Sequence, residues 1–460
     1  MYTVMLLFVA GLLFISCPVQ KEGSVHANTS VNDFDAPASE DDFDDSPIAV
    51  DLQNDSGGVD ENTLMLRQED RNATLVSLGV EPLAPFFDQI VQMKRTNKGL
   101  VRILHYGDSH TAADFLTTAI RRRLQKRFGD GGRGFVLFGN PWRTYGPKDV
   151  IVRSAGPWKS ERILIAADAS KLDGIYGLGG ISAKTGKAGA SSTVKTTKAT
   201  GFGRKVSAFE IFYLAQPGGG KFKLYLDGKL KEIVSTAAKI MHSEFYRLEV
   251  PEKGHELELR VVGDGEVRVF GGVLENDGPG IVYDTLGING GFFYTPLRWD
   301  ADILAQQVER RNPGLIVTMY GTNEADSRSI NEITYKQKVI KAMERLRAGS
   351  RDAACLMLGP PDRKMHRHPE EKPSQLDWII NVQEEVADEI GCDFINVREI
   401  MGGDGSHEKW SDMSPPLAQR DGIHLTVAGY RELGERIVKK IITAYEIYEG
   451  AELTGEKNGF

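Results

Sequence analysis

A chain of 460 residues is too long for one ordinary domain, so two or three are expected. Its 41% hydrophobic and 26% charged residues match a soluble globular protein, and no basic cluster with interleaved aromatics marks a nucleic-acid partner. The formal net charge of −8 says nothing about a substrate, because 11 acidic residues and no Lys or Arg fall between Gly23 and Leu66, leaving the rest near +3.

The amino terminus reads as an export signal. Val4 to Ile15 is an apolar run of 12 residues, too short to span a bilayer comfortably but suited to a signal-peptide core. Val25-His26-Ala27 is a small-residue cleavage signal, and Phe14-Ile15-Ser16-Cys17 is a lipobox-like ending. The expectation is a periplasmic or cell-envelope protein with a signal peptide over 1–27, cleaved after Ala27 or anchored to the membrane through lipidated Cys17. Residues 28–70, rich in Ser, Asp, Asn, Gly and Pro, read as a disordered acidic linker.

From about Asn72 to Asn140, and again from about Tyr283 to Glu449, short apolar strands alternate with helical segments. A helix is expected over Ala84–Met93, then a strand over Leu100–Tyr106 that ends in Gly107-Asp108-Ser109-His110 and runs into a helix from about Thr111 to Phe128. A serine at such a strand-to-helix turn has its hydroxyl at the sheet's carboxyl edge and its N–H at a positive helix end. That is what acyl transfer requires; the alternative is a glycine turn with Asp108 or Ser109 capping the next helix. Arg121-Arg122-Arg123, with Lys126 and Arg127, reads as that helix's solvated face.

Residues 148–280 have another texture. Ala208–Leu214, Lys221–Leu226 and Leu257–Val262 alternate on a period near two, with Asp227-Gly228 and Gly263-Asp264-Gly265 as turns, which predicts an antiparallel β-sandwich. Set between two α/β stretches, it reads as an inserted module dividing a domain over 71–147 and 281–450, with a tail at 451–460. Its aromatics Trp158, Tyr176, Tyr213 and Phe245 are either core or a sugar-stacking platform. Gly177-x-Gly179-Gly180 lacks the third glycine of a dinucleotide fingerprint and Gly186-Lys187-Ala188 lacks the P-loop hydroxyl, so no nucleotide is expected.

Further along, Leu286–Gly291 is a glycine-rich loop in which Gly290 could offer an unobstructed N–H. After an expected helix over Asp300–Arg311, the strand Leu315–Tyr320 ends in Gly321-Thr322-Asn323-Glu324, where Asn323 can aim its side-chain NH₂ at a developing oxyanion or simply form a turn. Helices over Asn331–Arg347 and Leu376–Ile390 alternate with strands at Ala354–Leu358 and Phe394–Val397. Between them His366-x-His368 lacks an obvious third ligand, so no metal is expected. Cys355 and Cys392 are read as two buried free thiols rather than a bridge, although export would permit one. Last, Asp421-Gly422-Ile423-His424 leads into a helix over Thr426–Tyr445; a carboxylate three residues before an imidazole can fix its tautomer while Nε2 faces a serine.

Ser109 in Gly-Asp-Ser, Gly290, Asn323 in Gly-Thr-Asn-Glu and Asp421-x-x-His424 resemble, in order, the four blocks of the SGNH/GDSL hydrolases over about 250 residues. The resemblance implies a three-layer α/β/α flavodoxin-like fold and a serine esterase without a cofactor. Ser109, His424 and Asp421 would be catalytic, with an oxyanion hole from Ser109, Gly290 and Asn323. A narrower similarity, to periplasmic peptidoglycan O-acetylesterases, rests on the His after the serine, the Gly-Ile-Asn-Gly loop and a carbohydrate-binding-module-like β-sandwich between the first two blocks. It implies an O-acetylated glycan partner, peptidoglycan foremost, with His110 a candidate substrate contact. An O-acetyltransferase using the same residues and a non-catalytic glycan-binding protein remain as alternatives.

Overall fold

The computed structural model describes residues 80–163, 173–198, 201–327, 330–364 and 375–454. The expected signal peptide with Cys17, the expected acidic linker and the His366/His368 pair lie outside the described residues, as does the end of the tail.

Helix α1 (Val80–Thr96) buries Leu83, Phe86, Phe87, Ile90 and Met93, an apolar stripe at helical spacing. Strand β1 (Leu100–Gly107) follows, then a single turn α2 (Ser109–Ala112) and α3 (Phe115–Phe128). The expected helix from Thr111 to Phe128 is thus broken at Asp114, whose φ is +57°. That residue's carboxylate accepts from Thr117, Thr285, Arg121 and Arg133 side chains and from the Lys148 N–H. Such a buried, fully paired carboxylate over-determines a left-handed backbone that a lone residue would avoid. The Arg121-to-Arg123 run is corrected at its first member. Arg121 is fully buried between Asp114 and Asp149, while Arg122 and Arg123 are partly exposed and pair with Asp149 and Glu435.

Between β1 and its neighbour the chain makes β2 (Gly134–Val136), β3 (Ile151–Ala155), β4 (Lys159–Arg162), β5 (Ile181–Thr185), β6 (Ser191–Lys195), β7 (Val206–Ala215), β8 (Lys221–Leu226), β9 (Lys229–Ser235), β10 (His242–Lys253), β11 (Glu256–Val261) and β12 (Val267–Glu275). One antiparallel sheet has the order β10-β7-β12-β5-β4, with β2 paired to β12; the other runs β3-β6-β11-β8-β9. They enclose a core of Phe209, Ile211, Tyr213, Phe222, Leu224, Leu257 and Leu259. The first sheet is buried on both faces, because Phe212, Leu214, Phe270 and Val273 turn the other way and join the core under Leu104, Tyr106 and Ile316.

The chain then returns as β13 (Gly280–Gly287), α4 (Ala301–Arg311), β14 (Leu315–Met319), α5 (Glu332–Arg347), β15 (Ala354–Leu358), α6 (Gln375–Glu389), β16 (Asp393–Ile395), α7 (Val397–Met401), α8 (Ser406–Ser411) and α9 (Val427–Thr454). Strands β13-β1-β14-β15-β16 form an all-parallel sheet. Numbered along the chain this is the order 2-1-3-4-5, the flavodoxin-like arrangement, whose crevice opens at the carboxyl ends of the first and third strands. Strand β1 sends Val101 and Ile103 to the face covered by α1, α3 and α9, and Leu104 and Tyr106 to the face covered by α4, α5 and α6. The fold is a three-layer α/β/α unit with additional antiparallel sheets.

No strand is expected from sequence over Gly280–Gly287, a run that carries Asp284. In the structure Asp284 is fully buried, taking Arg311 on both oxygens and the Phe135 N–H on one. A buried charge is tolerated where it is paired and hydrogen-bonded. The cysteines are a further correction. Cys355, on β15, and Cys392, just before β16, form a disulfide with Cα atoms 4.8 Å apart, because the two parallel strands are hydrogen-bonded neighbours.

Candidate active site

Three of the five parallel strands end at one place. Gly107 closes β1 where a Cβ would collide with the Thr111 side chain and the Met319 carbonyl, so only glycine lets β1, β14 and α2 pack this closely. The Asp108 N–H donates to Met319 O at 3.3 Å, and the Ile288 N–H to Gly107 O at 2.8 Å. Asp108 caps α2 by accepting the His110 N–H at 3.0 Å, the capping role weighed from sequence. It leaves Ser109, the first residue of α2, half-buried at the sheet edge.

Ser109 Oγ lies 3.0 Å from His424 Nε2. His424 Nδ1 in turn lies 2.7 Å from Asp421 Oδ2, and Asp421 Oδ1 accepts the backbone N–H groups of Ile423 and His424 at 2.9 Å each. Burial alone would push the Asp421 carboxyl up. The His424 hydrogen bond and the two N–H donors outweigh it and hold the group well below the usual carboxylate range. An ionised Asp421 fixes the proton on Nδ1, so Nε2 accepts from the serine hydroxyl. The arrangement can take a proton from Ser109 Oγ and return it to a leaving group.

In the loop after β13, Asn289 and Gly290 are exposed, with Gly290 at φ +76°. The Gly291 N–H turns back to Ile288 O at 2.9 Å, and Asn323 Nδ2 donates to Gly291 O at 2.8 Å. Using one amide hydrogen this way leaves Asn323 its other for a ligand. The next residue, Glu324, accepts the Phe293 N–H. Adjacent residues of one turn therefore pin both ends of the Gly291–Phe293 segment, which sets where Gly290 stands.

His110 is corrected. It is fully buried, not open to a substrate: its Nδ1 lies 3.0 Å from Tyr430 Oη, and its ring centre is 5.5 Å from that of His424. Burial and the neighbouring His424 push its pKa well down, so it stands behind the base as a neutral ring.

Tyr430, Glu324 and Arg363 are given no role in the sequence reading. Burial raises the Glu324 carboxyl to about 8 and Asp108 to about 6, each offset only in part by a backbone N–H. Arg363 donates to Thr322 O at 2.6 Å and pairs with Asp326 at 2.8 Å, bracing the turn that carries Asn323. Glu324 stands inside the quoted Gly-Thr-Asn-Glu run, but nothing in the run signals its burial. Of the aromatics weighed as a sugar platform, two are core residues and two are half-buried. Tyr176 and Tyr213 are buried in two different cores, Phe245 packs edge-on to Phe212 at 4.7 Å, and Trp158 donates to Ser191 O at 3.0 Å. Among the described residues no group of three or more His, Cys, Asp or Glu is arranged to hold a metal.

Residues 260–432 match the GDSL-like Lipase/Acylhydrolase family, a span that includes Gly290, Asn323, Asp421 and His424 and begins after Ser109. A solved structure described as a peptidoglycan O-acetylesterase in action is 25% identical with a TM-score of 0.66, over 79% of this chain and 96% of that one. A lipase/acylhydrolase from Enterococcus faecalis is 21% identical over 35% of this chain and 76% of its own, at a TM-score of 0.28. A family two carbohydrate esterase from Clostridium thermocellum is 13% identical over 58% and 95%, also at 0.28. The last two superpose too loosely to bear on function. No curated protein matches.

Proposed function

We propose that this chain, whose residues 260–432 match the GDSL-like Lipase/Acylhydrolase family, is a carboxylic ester hydrolase that removes O-acetyl groups from a cell-envelope polysaccharide, O-acetylated peptidoglycan foremost. The carrying observation is the Asp421–His424–Ser109 chain of hydrogen bonds at 2.7 and 3.0 Å, at the carboxyl edge of β1. The peptidoglycan substrate is supported by the likeness to a protein so described, over nearly that protein's whole length.

His424 removes the Ser109 proton as Oγ attacks the acetyl carbonyl carbon. The N–H groups of Ser109 and Gly290, with Asn323 Nδ2, receive the oxyanion. Asp421 keeps His424 in the productive tautomer and stabilises the imidazolium. His424 then gives its proton to the departing sugar oxygen, and the C–O bond to the sugar breaks. Water, deprotonated by His424, attacks the acetyl-serine; the Ser109 Oγ–acyl bond breaks, His424 returns the proton to Oγ, and acetate leaves. Residues 1–27 would export the chain to the periplasm or envelope, with Cys17 as a lipid anchor if it is retained, and residues 148–280 would form an inserted module.

The test is acetate release from O-acetylated and from de-acetylated peptidoglycan by the protein and by Ser109→Ala. Acetate from the acetylated polymer alone, abolished in the variant, is the expected result. Ser109-dependent transfer of acetyl to a glycan without free acetate would replace the esterase by a transferase, and glycan retention with neither activity would replace it by a binding protein.

A further inference from the structure

Phe292 and Tyr294 follow Gly290 by two and four residues, so their Cα atoms lie within about 7 and 14 Å of it even at full extension. Phe293 between them turns inward and is fully buried against Tyr320. Phe292 and Tyr294 stay half-buried, with ring centres 5.2 Å apart and 25° between their planes. They are the aromatic residues that accompany the exposed Asn289-Gly290 tip, whereas Tyr176 and Tyr213 are spent in cores.

The surface beside this pair is cationic. Lys338 and Arg298 are both exposed: Lys338, on α5, holds its ammonium 4.5 Å from the Tyr294 ring centre, and Arg298 acts on the Tyr294 phenol in opposition to the buried Glu324. Among the described residues neither has a carboxylate partner, unlike Arg363 nearby, which is satisfied by Asp326. A stacked aromatic rim offers a flat apolar surface to the C–H face of a pyranose ring. An uncompensated cation beside it favours an anion.

Resting on the glycan-esterase reading above, we infer that Phe292, Tyr294, Lys338 and Arg298 form a subsite for the sugar next to the acetylated one and select a glycan strand that carries carboxylate groups close to the ester. The chemistry that fits is an acidic acetylated polysaccharide, such as one bearing lactyl or peptide carboxylates. A neutral acetylated polysaccharide such as xylan would use the aromatic pair alone.

The test compares kcat/KM on O-acetylated peptidoglycan, acetylated xylan and p-nitrophenyl acetate for the full protein, Phe292→Ala and Lys338→Gln. For Phe292→Ala the ratio of polymer to small-ester activity should fall by about tenfold, through KM, as expected for ~1.4 kcal/mol of stacking. Lys338→Gln should lower the peptidoglycan-to-xylan ratio by roughly threefold to tenfold at low ionic strength, and the effect should vanish near 1 M salt, where the screening length is ~3 Å. Equal losses on all three substrates would make the pair a loop brace and overturn the subsite. A Lys338→Gln loss shared by xylan, or insensitive to salt, would overturn the selection for an acidic strand. A full protein that hydrolyses only the small ester, through Ser109, would sink the glycan reading itself and the subsite with it.

Discussion

Ser109 and His424 meet at 3.0 Å from two differently built regions. The serine turn is buried in the sheet. Gly107, Asp108, His110 and Thr111 are all shielded, and β1 is bonded there to Met319 O on one side and to the Ile288 N–H on the other. The Asp421–His424 loop sits at the surface, with side chains 34% and 30% exposed, and is held mostly by short-range bonds. Gln419 N donates to His424 O at 2.8 Å, Lys364 N to Gly422 O at 2.7 Å and Gln419 Nε2 to Leu425 O at 2.9 Å. The serine's position is inherited from the fold, and the histidine's position is wired locally. Substitutions in the loop should therefore change chemistry with little cost in stability, and those beneath the turn should register in both.

The sharpest way to break this contrast is Asp421→Asn. Losing the carboxylate releases the His424 tautomer, and kcat should fall by ~10³–10⁴ while the melting temperature stays near that of the parent. A large drop in Tm alongside would show the loop to be structural. Asn323→Ala comes next: on the proposed mechanism it removes one oxyanion donor and should lower kcat by ~10²–10³, read from the same acetate assay with KM nearly constant. Tyr430→Phe probes the seam between the two regions, since the hydroxyl is the partner of His110 Nδ1. Leaving a buried nitrogen unsatisfied should cost ~1–3 kcal/mol of stability, with a kcat loss of about tenfold or less; unchanged denaturant midpoints would refute it.

Glu324→Gln should have the smallest effect on activity at neutral pH and the clearest effect on stability. With its pKa raised from 4.5 to about 8 by burial, Glu324 keeps a proton in the folded state that the unfolded chain releases. Its contribution is thus full below pH 4.5, is lost as pH rises through about 8, and stays lost above. The glutamine variant cannot titrate, so its melting temperature relative to the parent should climb across that window. A constant difference between acidic and alkaline pH would remove Glu324 from the account.

The strand-edge motifs are legible because each joins an apolar run to a polar turn, and periodicity within the chain is what the eye can read. Ser109, Asn323, Asp421 and His424 are nominated that way, and the structure brings Ser109, Asp421 and His424 into one hydrogen-bonded line, with Asn323 bonded to the Gly290 loop. Helices such as Glu332–Arg347 and Ala301–Arg311 fall within a residue of their expected ends. What escapes the reading depends on partners far along the chain. Asp284 belongs in a strand because of Arg311, Arg121 is buried because of Asp114 and Asp149, and Cys355 reaches Cys392 because β15 and β16 pair. His110 faces inward because Tyr430, on the last helix, waits there.

Strand β1 is the second strand of its sheet, yet its partner register runs from Leu100 to Gly280, with eleven antiparallel strands made in between. A ribosome adding 5–20 residues per second needs roughly 9–36 s to cover that distance. The serine is thus translated early and receives its flanking strands late. A chain cut short anywhere before Gly280 carries Ser109 without the strands that flank it, and one cut before His424 also lacks the imidazole that stands 3.0 Å from its hydroxyl.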